Sequence, residues 1–581
     1  MRPRVVVAIV LIIPILFLAA CLSPVGSSAA GAPGYATVIA PSVEDWLESA
    51  GPDDRLAVWV FLADKGDLSP GDTEARIAEA RLSFDPKAVE RRLRARPGRP
   101  FDEADLPLYK PYIDVLKAQG VKFRSFSRWL DAASVEASPS QIERLASLPF
   151  VRHLGRVSGR RGSPVPDTWE ASSKEIGVLY QYGPSWRQLS QIQVPDLHDE
   201  GYTGAGVRVA IFDTGFWLGH ETFSNLNKIA EHDFINDDSV TANQPGDPSG
   251  QHDHGTMCLS LLAGESPGNL MGAAFDAEYA LAKTEDLADE QPVEEDWWIE
   301  AAEWADSLGA QVISSSLSYI DWYTYEDMDG DTAPITNAAD MAALNGIVVV
   351  NAAGNQGSSS WKYIGAPADG DSVIAAGSVD STGTRSSFSS QGPTYDGRTK
   401  PTVMAMGQAT YIADPRGASM YRRGSGTSFS APLVAGSIAL ILQKHPNWLP
   451  ANVIEAITQT GTRSLNPDTL YGWGILQAHA ASEYSPTGVP SVDLSGPVLK
   501  TYPNPCRTGF YVSRSIGPLA GEDGSHPLRI FDVGGRLLHE STLGLSGATR
   551  IDLRDGPLGL APGVIFVEVP GYGRTKVLVL R

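Results

Sequence analysis

Cysteine is scarce in this chain, with three residues among 581, at positions 21, 258 and 506. So few cysteines exclude a fold held together by a disulfide framework, and the apolar run around Cys258 predicts a buried structural thiol. Basic residues are also in the minority, since 46 lysines and arginines face 68 acidic residues and the net charge is -22. Nucleic-acid phosphates would repel such a surface, so we expect no nucleic-acid partner.

Long apolar runs are missing as well, apart from residues 5–20 near the N-terminus. This run is short for a membrane span, follows two arginines and precedes small residues, which is the layout of a secretory signal. It predicts a signal peptide over residues 1–30. Residues 18–21 also resemble the lipobox of bacterial lipoproteins, so lipid attachment at Cys21 and lipid-free cleavage near Ala30 stand as alternatives.

Short strands and helices are mixed in the region 31–170. Residues 55–66 are apolar and β-branched, as in a strand, whereas 84–100 form a charged helical segment that a proline stops. Ser138, followed by Gln141, is a capping box that starts a second helix, and an apolar strand comes after it. These elements predict a small α+β domain.

Between residues 171 and 484 the pattern changes to alternating strands and helices. Predicted strands cover 206–215, 310–318 and 346–355, and predicted helices cover 295–310 and 337–346. The strands are apolar on both faces, so we expect a doubly wound α/β domain with a parallel sheet. Ligands of such domains bind beyond the carboxyl ends of the strands, where Asp213, Ser316 to Ser318 and Asn355 fall.

The last part of the chain has a third pattern. From residue 495 onward helical periodicity vanishes, and short β-branched segments alternate with glycine turns. This pattern predicts a small all-β sandwich over residues 495–581.

Four polar residues in the α/β region supply the parts of a nucleophilic catalyst. A hydroxyl nucleophile needs a base for its proton, a carboxylate that orients the base, and donors for the oxyanion. Asp213 and Asn355 each end a predicted strand, His254 opens an apolar helix, and Ser428 follows a glycine-rich loop at another helix start. That helix start offers free backbone N–H groups, and Pro432 is expected in its first turn.

The motifs DTG, HGT, GN and GTSFSAP, in that order, resemble those of the subtilisin family of serine proteases. The resemblance implies that Ser428 attacks the peptide carbonyl, His254 carries the proton, Asp213 orients His254, and Asn355 with the Ser428 N–H binds the oxyanion. It implies no organic cofactor. It also implies two substrate-binding segments, formed by Ser316, Leu317 and Ser318 and by Ala352, Ala353 and Gly354.

Other polar residues near these motifs have simpler interpretations. Ser425 and Ser430 do not fill the nucleophile's position in the motif, so we expect them to serve the loop and the helix start. His220, His232 and Asp233 match no catalytic motif and are expected to be solvated.

An acidic loop is a candidate metal site. Asp327, Asp329 and Asp331 alternate in it and could supply oxygen ligands to a structural calcium ion. The loop is not a complete EF-hand, so a solvated acidic loop is the alternative.

The flanking regions also resemble known modules. Residues 55–158 resemble the propeptides of the family, which predicts a propeptide over 31–170 that is cut near Arg160 and Arg161. In residues 495–581, the segments YPNPC, LRIFDVGGRLL, GVIFVEV and TKVLVLR resemble the sorting domain of the type IX secretion route. The alternative is an immunoglobulin-like spacer domain that carries no sorting signal.

Together these features predict an exported bacterial serine endopeptidase, found outside the cell or on the outer-membrane surface. Its expected partners are protein or peptide substrates, its own propeptide and the export machinery. The alternative from another class is a surface binding protein that keeps the scaffold with a silent site. A protease restricted to its propeptide or to one dedicated partner is the narrower alternative among enzymes.

Overall fold

The computed structural model describes residues 38–66, 69–157, 180–288 and 293–486, and beyond them seven strands between residues 499 and 579. The predicted signal peptide with Cys21, and the cleavage loop with Arg160 and Arg161, lie outside the described residues. Within the described part, every helix is too short or too polar to cross a membrane.

The N-terminal unit is built on a five-stranded sheet with the order β1-β5-β2-β4-β3. Its strands are β1 (Val38–Ile39), β2 (Leu56–Leu62), β3 (Lys122–Ser127), β4 (Ala132–Ala137) and β5 (Val151–Val157). Its helices are α1 (Pro41–Ser49), α2 (Pro70–Arg81), α3 (Pro86–Ala95), α4 (Lys110–Ala118) and α5 (Pro139–Ala146). Only the β1–β5 pair is parallel, and the unit is the predicted α+β domain.

Local signals explain most of these helices. The predicted capping box is present, since the Gln141 side chain accepts the Ser138 N–H at 2.8 Å at the start of α5. Helix α2 was not predicted. It begins after Ser69, whose hydroxyl accepts the Asp72 N–H. Among the described side chains at 71–81 only Ile77 is buried, so the helix has almost no hydrophobic periodicity.

The central domain contains a seven-stranded parallel sheet with the order β14-β13-β12-β11-β6-β10-β7. These strands are β6 (Arg208–Asp213), β7 (Lys228–Asp233), β10 (Glu278–Lys283), β11 (Val312–Ser315), β12 (Val348–Ala352), β13 (Val373–Val379) and β14 (Val403–Met406). Two hairpins pair β8 (Glu265–Ser266) with β9 (Leu270–Met271) and β15 (Thr410–Ala413) with β16 (Tyr421–Gly424). Its helices are α6 (Trp186–Ser190), α7 (Val194–Asp199), α8 (Asp253–Ala263), α9 (Val293–Ser307), α10 (Pro334–Leu344), α11 (Thr427–Lys444), α12 (Pro450–Thr460) and α13 (Ala478–Ser482).

Both faces of this sheet are covered, as the apolar strands predicted. Along β6, Val209 and Ile211 point into a core shared with α8 and α11, whereas Ala210 and Phe212 point into a core shared with α9 and α10. The domain is therefore the predicted doubly wound α/β fold, with α11 as its central helix.

The N-terminal unit packs directly on the central domain. Trp59 of β2 and Ala132 of β4 belong to the same buried core as Trp298 and Ile299 of α9. Trp59 is fully buried there, so this contact contributes a substantial hydrophobic stabilisation, about 2–3 kcal/mol for a side chain of this size.

The C-terminal part consists of antiparallel strands, as its sequence pattern predicts. They are β17 (Leu499–Tyr502), β18 (Gly509–Arg514), β19 (His526–Asp532), β20 (Leu537–Leu543), β21 (Thr549–Asp552), β22 (Gly563–Val569) and β23 (Gly573–Val579). They form a three-stranded sheet, β17-β18-β21, and a four-stranded sheet, β20-β19-β22-β23.

Candidate active site

A carboxylate and an imidazole meet at the carboxyl end of β6. Asp213 is the last residue of β6 and is fully buried, and His254 lies in the first turn of α8. His254 Nδ1 is 2.7 Å from Asp213 Oδ1, which also accepts the Thr214 N–H at 2.8 Å. Gly255 permits this approach, because a Cβ there would lie 2.2 Å from the Gly215 carbonyl oxygen.

The buried carboxylate controls the titration of the imidazole. Burial alone would lower the pKa of His254, but the Asp213 charge, the Cys258 sulfur and the hydrogen bonds to both together outweigh burial and hold that pKa well above its ordinary value. When neutral His254 donates Nδ1–H to Asp213, its Nε2 is left as the proton acceptor. The pair is therefore arranged to accept a proton and to stabilise the resulting imidazolium.

Ser428 stands at the beginning of α11, in the second position of the helix. Its hydroxyl donates to the Ser316 carbonyl oxygen at 3.2 Å. His254 contacts two neighbours of Ser428: its ring centre lies 6.1 Å from that of Phe429, and its Nε2 lies 4.0 Å from the sulfur of Cys258, which bonds to the Ser428 carbonyl oxygen. Catalytic hydrogen bonds are often long or misaligned before substrate binds, so this resting orientation is compatible with a nucleophile.

The prediction that Pro432 lies in the first helical turn is wrong. Helix α11 begins at Thr427, so Pro432 lies inside the helix and, having no N–H, cannot donate to the Ser428 carbonyl oxygen one turn earlier. Two other groups donate to this oxygen instead: the Ser316 hydroxyl at 2.9 Å and the Cys258 thiol at 3.4 Å. The backbone of Ser428 is thereby fixed from β11 and α8.

Cys258 is buried in α8, one turn after His254, as its apolar surroundings predicted. Its sulfur lies 3.9 and 4.0 Å from the two ring nitrogens of His254. Burial raises the pKa of the Cys258 thiol to about 11, so the thiol is protonated at neutral pH and can donate to the Ser428 carbonyl oxygen.

Asn355 follows β12, and its amide is oriented by Thr427, a role that the sequence did not predict. Asn355 Oδ1 accepts the Thr427 N–H at 2.9 Å and the Thr427 hydroxyl at 3.0 Å, which leaves Nδ2 to face the other way. A Cβ placed on Gly426 would lie 3.8 Å from Asn355 Nδ2, from the Ser428 N and from Ser428 Oγ alike. Glycine at 426 keeps this shared space open.

The expected substrate-binding segments follow neighbouring strands. Ser316, Leu317 and Ser318 follow β11, while Ala352 ends β12 and is followed by Ala353 and Gly354. Asn351 Nδ2 donates to the Leu317 carbonyl oxygen at 2.8 Å and so ties the two segments together. A Cβ on Gly354 would lie 2.9 Å from Ser318 Oγ, so the segments approach closely.

The other serines and acids near the motifs have structural contacts. Ser425 Oγ accepts the Ala409 N–H, and Ser430 Oγ donates to the Ala405 carbonyl oxygen, as expected of loop and helix-start residues. The expectation that His220 and Asp233 are solvated is wrong. Both are buried.

Each of these two has a partner that the sequence did not reveal. His220 Nδ1 accepts the Thr222 N–H at 3.2 Å, and its Nε2 meets the Met420 carbonyl oxygen at 2.7 Å. Asp233 pairs at 2.9 Å with Lys283, which ends the adjacent strand β10 and is itself buried. His232, in contrast, keeps 28% of its side chain exposed.

The candidate calcium ligands do not converge in the described structure. Asp327 accepts the Thr324 N–H and hydroxyl, while Asp329 accepts the Asp331 N–H, so both carboxylates bond to their own loop. Among the described residues, the groups of possible ligand atoms within 4.8 Å of one another are Asp213, His254 and Cys258, and Glu200, His479 and Glu483. Lys444 already pairs with both glutamates of the second group.

Comparison with known proteins gives matches in two regions. A sequence model described as the subtilase family matches residues 204–474, and one described as the peptidase S8 propeptide domain of Bacteroidota matches residues 57–167. The chain is 32% identical over 372 residues to subtilisin E of Bacillus subtilis, covering 64% of this chain and 85% of that protein. It is 36% identical over 296 residues to subtilisin of Bacillus pumilus, covering 51% and 98%. An alkaline protease of Alkalihalobacillus alcalophilus is 30% identical over 355 residues, covering 60% and 78%.

Proposed function

Because the chain belongs to the subtilase family and is a serine-type endopeptidase, we propose that it hydrolyses proteins through Ser428, His254 and Asp213, with Asn355 in the oxyanion site. The observation that supports this assignment best is the 2.7 Å contact between His254 and the fully buried Asp213 beside the start of α11. A buried ionised carboxylate is costly unless it serves a cationic partner.

In the proposed reaction, Ser428 Oγ attacks the carbonyl carbon of the peptide while His254 Nε2 takes its proton. The carbonyl oxygen becomes an oxyanion that the Asn355 amide and the Ser428 N–H bind. The C–N bond then breaks as His254 returns the proton to the leaving amine, and an acyl-enzyme remains. Water, deprotonated by the same imidazole, hydrolyses this ester and regenerates Ser428.

Substrate binding is proposed for the segments 316–318 and 352–354, whose backbone flanks the candidate nucleophile. Neither segment contains an acidic residue, so we propose apolar or broad specificity rather than selection of basic side chains. Ser318 stands where glycine is frequent in the family, and its side chain narrows the space next to Gly354.

Maturation and location form the second part of the proposal. The precursor is exported under the signal peptide 1–30, and the propeptide 31–170 is cut near Arg160 and Arg161. Residues 495–581 then act as a sorting domain that directs the protein to the outside or to the outer-membrane surface. Lipid attachment at Cys21 is the alternative that intact-mass analysis of the exported protein would identify.

A fluorophosphonate probe tests the catalytic assignment. The probe should label the native protein and not Ser428→Ala, and intact masses should reveal the loss of the N-terminal unit from the native protein alone. Ser425→Ala is the matched control, since this loop serine lies three residues away and should leave labelling unchanged. A folded, propeptide-free native protein that resists the probe would refute the enzyme and favour the silent surface binding protein.

Calcium binding at Asp327, Asp329 and Asp331 remains a proposal with its own test. Thermal unfolding in calcium and in chelator should then differ by several degrees, and Asp331→Asn should reduce the difference. Equal midpoints would exclude the ion from this loop.

A further inference from the structure

A hairpin beside the candidate active site carries an excess of positive charge. Strands β15 and β16 form it, and residues 410–424 contain three arginines, Arg416, Arg422 and Arg423, against a single acid, Asp414. The chain as a whole has a net charge of -22. A cationic edge in such an acidic protein attracts anionic groups of a substrate.

One face of this hairpin points towards α8 and the start of α11. Ile412, which is opposite Arg422 in the ladder, is buried in the core that contains Met257 and Phe429. A Cβ on Gly424, two residues after Arg422, would lie 2.7 Å from the Phe429 ring and 2.9 Å from the Ile412 side chain. Because side chains two residues apart in a strand lie on the same face, Arg422 belongs to this face.

Arg422 reaches α8 about one turn after the candidate base. Its Nη2 lies 2.9 Å from Met257 Sδ, and Met257 is three residues after His254 on α8. The His254 ring centre in turn lies 6.1 Å from that of Phe429, the residue after Ser428. Arg422 thus flanks the candidate catalytic centre on the side of the imidazole.

The chemistry of the proposed reaction decides which part of a substrate meets this side. His254 returns its proton to the leaving amine, so the amine must lie at the imidazole. The segments 316–318 and 352–354 approach Ser428 from β11 and β12 instead, and they are proposed to bind the acyl part of the substrate. The residues that follow the cut bond, called the leaving segment below, then extend from His254 towards Arg422.

Two acids share the neighbourhood of Arg422. Asp414 accepts from Arg416 Nε at 2.8 Å, so its charge is matched within the hairpin. Asp253, the first residue of α8, keeps 39% of its side chain exposed. Burial raises the pKa of Asp253, while the charges of His252 and Arg422 act in the opposite direction. Asp253 is therefore the acid with which a substrate carboxylate would compete for Arg422.

Arg423 provides an internal contrast to Arg422. It is the next residue of β16, so its side chain lies on the other face of the hairpin. Its guanidinium carbon lies 5.8 Å from the centre of the Tyr411 ring, and its Nη1 donates to the Ala409 carbonyl oxygen at 2.7 Å. Arg423 is thus held away from α8 and is the matched control for Arg422.

We propose that Arg422 is a specificity-determining residue that selects substrates with a glutamate or aspartate side chain in the leaving segment. Its guanidinium group donates to the substrate carboxylate in competition with Asp253. Acidic residues are thereby preferred after the cut bond, while the acyl side keeps the apolar or broad preference proposed above. The inference rests on the proposed function, since Ser428 and His254 define where the leaving segment lies.

A peptide series tests this preference directly. The native protein, after loss of its N-terminal unit, is assayed with peptides of one sequence in which each of the first three residues after the cut bond is in turn glutamate, glutamine or lysine. Mass spectrometry confirms the cut bond. For at least one position, kcat/KM should be about fivefold higher with glutamate than with glutamine and lowest with lysine, and the ratio should fall as salt is added.

The outcomes separate this inference from the proposed function. Equal kcat/KM with glutamate and glutamine at all three positions would overturn the inference and leave the endopeptidase intact. Cleavage of no peptide would refute the proposed endopeptidase, and the inference with it.

Variants identify the residue responsible for the preference. Arg422→Gln should bring the glutamate-to-glutamine ratio of kcat/KM close to unity, and Arg422→Glu should reverse the preference towards lysine. Asp253→Asn removes the competing carboxylate and should raise the ratio. Arg423→Gln removes a charge on the opposite face and should keep the native ratio. Because each variant is judged by a ratio between peptides, a change in the amount of folded protein cancels. An equal fall of the ratio in Arg423→Gln and Arg422→Gln would show that the charge of the whole hairpin acts, and would overturn the assignment to Arg422.

Discussion

Glu300 on α9 offers a sharp test of how the two domains are joined, because its carboxylate is enclosed at the contact with the N-terminal unit. The Ser125 hydroxyl of β3 donates to it at 2.5 Å. Burial raises the pKa of Glu300 to about 7, and the nearby Asp296 adds to the rise, against the lowering by hydrogen bonds from Ser125 and the Phe126 N–H. Ionised Glu300 is therefore unfavourable in the assembled precursor.

The direction of the pH dependence follows because the pKa of Glu300 in the folded precursor lies above its ordinary value. The contribution of Glu300 to the free energy of unfolding is fully present below its ordinary pKa of 4.5, where the carboxyl group is protonated. This contribution is lost as the pH rises through about 7. The difference between the two pKa values corresponds to about 3 kcal/mol of stability at full ionisation. Because part of the Glu300 side chain meets solvent, we expect about half of this free energy. Glu300→Gln keeps an acceptor for Ser125 and cannot ionise. It should therefore stabilise the Ser428→Ala precursor by about 1–2 kcal/mol at pH 8.5 and leave its stability nearly unchanged at pH 5.

Urea unfolding of the precursor at the two pH values measures this difference. Glu143→Gln, an exposed position on α5, is the matched control and should change stability little at either pH. If Glu300→Gln shifts the free energy of unfolding equally at pH 5 and pH 8.5, or destabilises the precursor at pH 8.5, the reasoning about the enclosed carboxylate is refuted.

Four further predictions concern the candidate active site. Only neutral His254 can accept the Ser428 proton, and the Asp213 charge raises the pKa of His254. We therefore expect kcat/KM on a peptide substrate to rise with pH above 7, and a flat profile from pH 6 to 9 would contradict this. Asp213→Asn should lower kcat by roughly a thousandfold or more with little change in KM, measured by steady-state kinetics, because the imidazolium loses its counter-charge. Asn355→Ala should lower kcat about a hundred- to a thousandfold. Thr427→Val removes one donor that orients the Asn355 amide and should lower kcat less than Asn355→Ala does. An equal loss of kcat would show that Thr427 does more than orient this amide.

The fold of the central domain follows from local patterns that need no knowledge of distant partners. Apolar β-branched runs such as 206–215 and 346–355 predicted buried parallel strands, and β6 and β12 lie within them. The motif residues Asp213 and Asn355 stand at or just after the carboxyl ends of these strands, so chain order and strand direction sufficed to bring them to one edge. Helix α2 escaped prediction because it buries too little to leave a periodic signal.

Contacts between residues that are far apart in the chain could not be predicted from the sequence. His220 and Asp233 look like surface residues, yet the Met420 carbonyl group and Lys283 make their burial favourable, and neither partner is near them in the chain. The same holds for the Ser428 carbonyl oxygen. Pro432 removes its helical donor, but only the tertiary structure decides that Ser316 and Cys258 replace it.

The sequence by itself determined the order of elements, the strand ends and the identity of the four candidate catalytic residues, because these depend on periodicity and on short motifs. The tertiary structure alone decided that Arg91 of α3 meets Asp306, a residue 215 positions later. A run of arginines in a charged helix is ordinarily solvated, and only an acid enclosed at the far end of the sheet makes its burial favourable. Such pairing is a property of the packed domains, since no local pattern encodes the position of the distant partner.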